Sequence, residues 1–154
     1  MQVAYFEDGC VEQFRPLVWL RPVFELLCGH SGLRERVNRY LLPSAWGVFI
    51  RPWLAEAYTE EHRSGHVNEL GWMKSGPTLL LNGRWLPQLS QLQGLEAGVA
   101  VWDQGTLVAI VIQPDEVDCL DPADMAGSAA QLAQGRRETK ACGHLLQYPW
   151  DLVH

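Results

Sequence analysis

The sequence predicts an α/β fold: a mainly parallel, Rossmann-like sheet with helices on both faces and an antiparallel edge hairpin. Three observations carry this expectation. Short apolar runs alternate with segments of helical periodicity in the order strand, helix, strand, helix, strand, which implies right-handed βαβ crossovers. Two of the runs, Trp46 to Ile50 and Thr78 to Leu81, are continuously apolar rather than alternating, as strands covered on both faces are. A content of 47% hydrophobic residues over 154 positions, seven of them Trp, suffices for one core, so residues 1–154 read as a single domain.

Gln2 to Phe6 is a first apolar strand, and Glu7-Asp8-Gly9 turns the chain at its carboxyl end. Ser31 is the expected cap of a helix in which Leu33, Val37, Tyr40 and Leu41 recur at helical spacing until Pro43 stops it. After the strand at Trp46, Pro52 suits a first helical position, and Trp53, Leu54, Ala57 and Tyr58 mark one face of a helix ending near His62. The strand from Thr78 closes at Asn82-Gly83, and a short helical piece is expected around Leu86 to Leu92. Gly98 to Trp102 and Thr106 to Ile112 flank Asp103-Gln104-Gly105 as a hairpin at the sheet edge. Pro122 to Gln134 reads as a helix entered through Asp121 and left through Gly135. Arg136 to Ala141 is polar and carries no pattern. His144 to His154 is an apolar ending, abrupt enough to raise the expectation of a longer natural polypeptide.

A formal net charge of -6 and a pI near 5.3 argue against a nucleic-acid coat or a membrane-surface binder, which need a broad cationic excess. Of the 12 basic residues only Lys74 and Lys140 are lysines, so the available cations are forked guanidinium groups suited to phosphate or carboxylate. Cys10, Cys28, Cys119 and Cys142 form no Cys-x-x-Cys pair and follow no signal peptide, which reads as reduced thiols in a cytoplasmic protein. The longest apolar runs fall far below the roughly 18 residues a membrane span requires.

In an open parallel sheet, ligands bind beyond the carboxyl ends of the strands, where strand order reverses. The candidates there are Glu7 and Asp8 after the first strand, Arg51 after the second, and Asn82, Gly83 and Arg84 after the third. Arg15, Arg21 and Arg34 join them if the long connection from Gly9 to Ser31 folds over the same edge. Guanidinium forks and the helix start near Ser31 would then hold a polyphosphate. Neither Gly-rich phosphate loop is present. His62 and His66 stand at i,i+4 with Gly65 between them and no Glu after His62, a poor zinc pair. His30, His144 and His154 show no partners, and the scattered tryptophans read as core and rim.

These residues resemble a family: the amino-terminal domain of sugar nucleotidyltransferases, in the divergent bacterial branch of bifunctional N-acetylglucosamine-1-phosphate uridyltransferase-like proteins. The resemblance rests on Phe6-Glu7-Asp8, Arg15-Pro16-Leu17, Leu20-Arg21-Pro22-Val23, Gly29 and Leu33-Arg34-Glu35 in that order. Leu81-Asn82-Gly83-Arg84 with Leu86-Pro87, and Pro149-Trp150-Asp151-Leu152, continue it, so that it spans nearly the whole chain. The motifs are short, and specificity lies in their order.

The resemblance implies attack of a sugar-1-phosphate on the α-phosphate of a nucleoside triphosphate, with Mg²⁺ and cationic side chains neutralising the developing charge and pyrophosphate leaving. It implies Arg15 and Arg21 as the catalytic contacts to the triphosphate, and Glu7, Asp8, Arg34, Asn82, Gly83 and Arg84 as nucleotide-binding residues. Metal ligands stay unassigned. The implied partners are a nucleoside triphosphate with a sugar-1-phosphate, or a nucleotide sugar; a homo-oligomer is left open. Three features depart from the family pattern: no Gly-rich turn follows the first strand, the family's lysine falls at Val23, and its metal-binding aspartate falls at Arg84, which cannot ligate Mg²⁺. Hexapeptide repeats of the carboxyl-terminal acyltransferase β-helix that family members carry are not found. The alternative expectation is therefore a catalytically inactive nucleotide-sugar-binding, regulatory or assembly domain.

Overall fold

The computed structural model of the protein describes residues 1–153; His154, the last residue of the apolar ending, lies outside them. A seven-stranded sheet forms its centre. The strands are β1 (Gln2–Phe6), β2 (Trp46–Phe49), β3 (His66–Val67), β4 (Thr78–Asn82), β6 (Val99–Asp103), β7 (Thr106–Ile112) and β8 (Arg137–Lys140), in the order β3-β2-β1-β4-β7-β6-β8. β7 alone runs against the rest, pairing antiparallel with β4 and β6, while β6 pairs parallel with β8. A separate two-stranded ribbon joins β5 (Trp85–Pro87) to β9 (Gly143–Leu145).

Period-two geometry sends alternate residues of one strand to opposite faces, and β1 and β4 are buried throughout. Tyr5, Leu79 and Leu81 point to the face packed by α1 (Leu33–Leu41), α2 (Pro52–Glu61) and α3 (Leu89–Gln93). The long connection contributes Phe14, Val18, Val23 and Phe24 to that same face. Ala4, Phe6, Leu80 and Ile110 point the other way, against Met73, Val117 and α4 (Met125–Ala133). The predicted α/β class, with helices on both faces, is what the chain adopts. No helix among the described residues is long and apolar enough to cross a membrane.

Several local expectations change. Ser31 is not the cap of α1: its carbonyl accepts the Cys28 N–H in an isolated bridge, and Gly32 takes the cap position without a side-chain bond. The piece expected as helix from Leu86 to Leu92 begins instead as strand, because Trp85 to Pro87 finds a partner in residues remote in sequence; only Leu89–Gln93 is helical. The β6–β7 hairpin is internal rather than at the sheet edge. The edge is β8, drawn from the polar stretch that carries no pattern, and its exposed, charged Arg-Glu-Thr-Lys sequence suits an edge that must not pair with another chain. The helix expected from Pro122 divides in two. A 3₁₀ turn at Pro122–Asp124 is capped by Asp121, and Asp124 then caps α4 by accepting the Gly127 N–H at 3.1 Å.

Gly143 holds the ribbon together. It sits at φ 132°, and a Cβ there would lie 2.2 Å from the Leu86 carbonyl oxygen. Gly143→Ala is expected to lower unfolding free energy by about 1–3 kcal/mol, the cost of a residue forced into sparsely populated backbone space; urea denaturation followed by far-UV circular dichroism measures it.

Candidate functional site

Strand order reverses between β1 and β4: β2 and β3 continue on one side of β1, and β4 opens the other. At the carboxyl end of this pair Asp8 meets Arg84. Asp8 Oδ1 accepts from Arg84 Nε at 2.8 Å and Oδ2 from Nη2 at 2.7 Å, a bidentate fork. Asn82 Nδ2 donates to the same Oδ2 at 2.9 Å, and the Cys10 N–H to Oδ1 at 3.1 Å. Arg84 is 1% exposed, and its remaining Nη1 donates to the Leu146 carbonyl at 2.6 Å. Gly83 lies between them against the Phe24 ring and the Phe6 carbonyl, with no room for a side chain. Burial pushes the Asp8 carboxyl up, but the Arg84 and Asn82 bonds outweigh it and hold the group below the usual aspartate range.

One strand over, Glu7 and Arg51 form a second clasp. Glu7 Oε1 accepts from Arg51 Nε at 3.1 Å, and Oε2 accepts both Arg51 Nη2 at 3.2 Å and the Val23 N–H at 3.0 Å. Arg51 Nη2 also donates to the Arg21 carbonyl at 3.2 Å, so this pair straps the long connection to the sheet end. Burial raises the Glu7 carboxyl above the ordinary glutamate range, and Arg51 offsets this only in part. Ionised Glu7 therefore works against the fold as pH rises through its folded value.

Beside these clasps a cavity of about 480 Å³ opens over the ends of β1, β2 and β3. Glu7, Phe49, Arg51 and Asn68 line it from the sheet, Asp124 and Met125 from the start of α4. Asn68 is held rigidly. Its backbone sits at φ 55°, its N–H donates to Val48 at 2.8 Å, and its Oδ1 accepts the Ile50 N–H at 2.7 Å. A second hollow, of about 290 Å³, lies between the connection and α2 and is lined by Leu20, Arg21, Leu27, Leu54 and Tyr58 among others.

The nucleotide-binding candidates Glu7, Asp8, Asn82, Gly83 and Arg84 thus converge on the reversal point. Arg34 does not; it pairs with Glu25 on the face packed by α1 and α2 and covers the Trp46 ring at 4.6 Å, while Tyr58 donates to that Glu25 at 2.6 Å. Arg15 is an exposed side chain paired with Glu12. Arg21 lines the second hollow rather than the cavity. Asn68 and the Pro122–Met125 segment carry no signal of a site in the sequence. β3 is two residues long and leaves no apolar run to mark the turn at its end. β7 runs antiparallel and ends at the opposite edge, so the connection through Pro114–Cys119 is what carries the chain back to start α4 beside the cavity.

A divalent ion takes oxygen ligands from carboxylates, carbonyls and water. Both Asp8 oxygens hold nitrogen donors, both Glu7 oxygens hold Arg51 or Val23, and Arg84 offers only donors. Among the described residues no three His, Cys, Asp or Glu side chains gather as a metal set. The oxygens of Asp8 and Glu7 are thus committed to nitrogen donors, and Asp124 is the other carboxylate that the start of α4 brings to the cavity.

A family model described as sugar nucleotidyl transferase matches residues 3–154. Among solved structures, one of UDP-glucose pyrophosphorylase complexed with UDP-glucose is similar with a TM-score of 0.54 and 9% identity, over 95% of this chain and 92% of that one. At that identity the likeness is one of fold. No curated protein matches.

Removing one partner of a buried ion pair leaves the other uncompensated. Arg84→Met is expected to cost about 3–5 kcal/mol of stability, read from urea unfolding at pH 7. The Asp8 carboxyl lies below its unfolded value, so its contribution is complete above about pH 4 and disappears as pH falls through the folded value. The wild-type urea midpoint should therefore drop more steeply than that of Asp8→Asn between about pH 4 and pH 2.

Proposed function

The chain belongs to the sugar nucleotidyl transferase family, and on that premise we propose that it binds a nucleotide sugar in the cavity over β1, β2 and β3 and serves nucleotidyl transfer between a nucleoside triphosphate and a sugar-1-phosphate. The observation that carries this reading is the position of the cavity. It opens at the carboxyl edge beside the strand-order reversal, where open α/β sheets take ligands. In the reaction a phosphate oxygen of the sugar-1-phosphate bonds to the α-phosphorus, the bond from that phosphorus to the β-phosphate oxygen breaks, and pyrophosphate departs. The chain's own contribution is positioning. Phe49, Ile50 and Met125 supply apolar wall, Asn68 a fixed amide, and the Glu7–Arg51 clasp a rigid rim.

A second reading, binding without turnover, is favoured by the Asp8–Arg84 fork. It consumes the carboxylate at the reversal point and sets a buried guanidinium, bonded through each of its nitrogens, where the family resemblance implies a metal ligand. Pyrophosphate release distinguishes the two. With uridine or thymidine triphosphate, a set of sugar-1-phosphates and magnesium salt, the first reading predicts release that rises with enzyme; binding with no release leaves the second.

Both readings require the cavity. UDP-glucose at 100 times its dissociation constant should stabilise the protein by about 2.7 kcal/mol in thermal or urea unfolding. Ala123→Trp, which fills the mouth from an exposed position, should fold normally and lose that stabilisation. Retained stabilisation would remove the cavity from consideration.

A further inference from the structure

Away from the cavity, the connection and α2 form a surface that bears its own complement. Leu20 is 88% exposed, Leu27 60% and Trp53 63%. These belong to one patch: Leu20 and Leu27 line the second hollow with Leu54, and Trp53 lies under Arg51, whose Nη2 bonds the Arg21 carbonyl. Leu17 and Trp19 are also exposed on the same connection. An aromatic side chain carries about 150–250 Å², so the patch amounts to roughly 500 Å², at the upper end of what a soluble monomer shows. It has a protruding apolar side chain, Leu20, beside a hollow of about 290 Å³ whose walls combine Leu27, Leu54 and Ala57 with the charged side chains of Arg21 and Glu61.

Its charges are also unspent. Arg21 makes no ion pair among the described residues, although nearly every other arginine of the connection and of α1 is bonded to a carboxylate or a carbonyl. Across the hollow, α2 presents Glu61. Glu61 faces only His62, 3.9 Å away, whose proton burial and Arg34 disfavour.

One occupant satisfies knob, hollow, cation and carboxylate together. We propose that this face is an isologous dimer interface, in which Leu20 of each protomer enters the other's hollow and Arg21 pairs with the partner subunit's Glu61. A two-fold axis makes a self-complementary surface meet itself. A standard specific interface buries about 800 Å² per partner, so the roughly 500 Å² patch would form its centre, with polar surface of α2 around it.

Sedimentation velocity across about 1–200 µM tests this, a range spanning the weak end of specific association. Wild type should shift from monomer towards dimer. Leu20→Glu, at a solvent-exposed position, should stay monomeric with unchanged circular dichroism and unfolding midpoint. Arg21→Glu and Glu61→Arg should each weaken the dimer roughly tenfold or more, and the double variant should recover most of the loss, since the charges are exchanged rather than removed. A wild type monomeric throughout, a dimer unaffected by Leu20→Glu, or a double variant as weak as the two singles would each overturn the interface. UDP-glucose stabilisation, read separately, bears on the cavity alone.

Discussion

The buried Asp8–Arg84 fork is the interaction on which the rest of the architecture depends. β1 and β4 are neighbours at the middle of the sheet, and their polypeptides part company at its carboxyl edge. Arg84 sits there at 1% exposure, a position in which a guanidinium needs a partner for each of its nitrogens. Asp8 takes two of them and the Leu146 carbonyl a third, so one side chain joins the end of the first strand to the segment that follows β9. Asn82 completes the arrangement by bonding Asp8 through its amide nitrogen and the Arg84 N–H through its oxygen. The turn after β1, the turn after β4 and the β5–β9 ribbon are fixed together.

The same logic accounts for a chain that uses arginine almost to the exclusion of lysine. Many of its segments are 3₁₀ turns and irregular connections, whose carbonyls find no partner in a regular ladder. A planar fork can bond a carboxylate and a carbonyl at once, which an ammonium on a flexible stem does less well. Arg51 bonds Glu7 and the Arg21 carbonyl; Arg136 bonds Glu116 and the carbonyls of Ala97 and Val111; Arg36 bonds the Cys28 carbonyl. Most of the guanidinium charge is thus spent on internal ties. The cavity is left with a rim held by the Glu7–Arg51 clasp, apolar side chains such as Phe49 and Met125, and few free cations.

The fold is legible where local pattern and tertiary outcome agree. The continuous apolar runs at Trp46 and Thr78 announce strands buried on both faces, and Pro52 marks the start of α2. Legibility fails where pairing is remote. Trp85 to Pro87 carries no strand period, and only Gly143 to Leu145 makes it one; Arg137 to Lys140 is polar because it is an edge. Of the site, the acidic pair after β1 and Asn82-Gly83-Arg84 are readable because strand ends are. That Arg84 turns inward to Asp8 is not, since a charged residue after a strand ordinarily points to water. Arg15 and Arg21 stand out by their charge, but the connection's apolar residues Phe14, Val18, Val23 and Phe24 decide where it lies. Those residues face the side of the sheet packed by α1, α2 and α3 and carry the arginines away from the cavity.

Backbone amide chemical shifts of ¹⁵N-labelled protein titrated with UDP-glucose test most directly whether the carboxyl-edge cavity is the binding site. Saturable shifts are expected at Glu7, Ile50, Asn68 and Asp124 to Ala126, with the amides around Leu27 and Ala57 unmoved. Shifts confined to the second hollow, or none at ligand concentrations in the millimolar range where even weak sites fill, would contradict binding in that cavity.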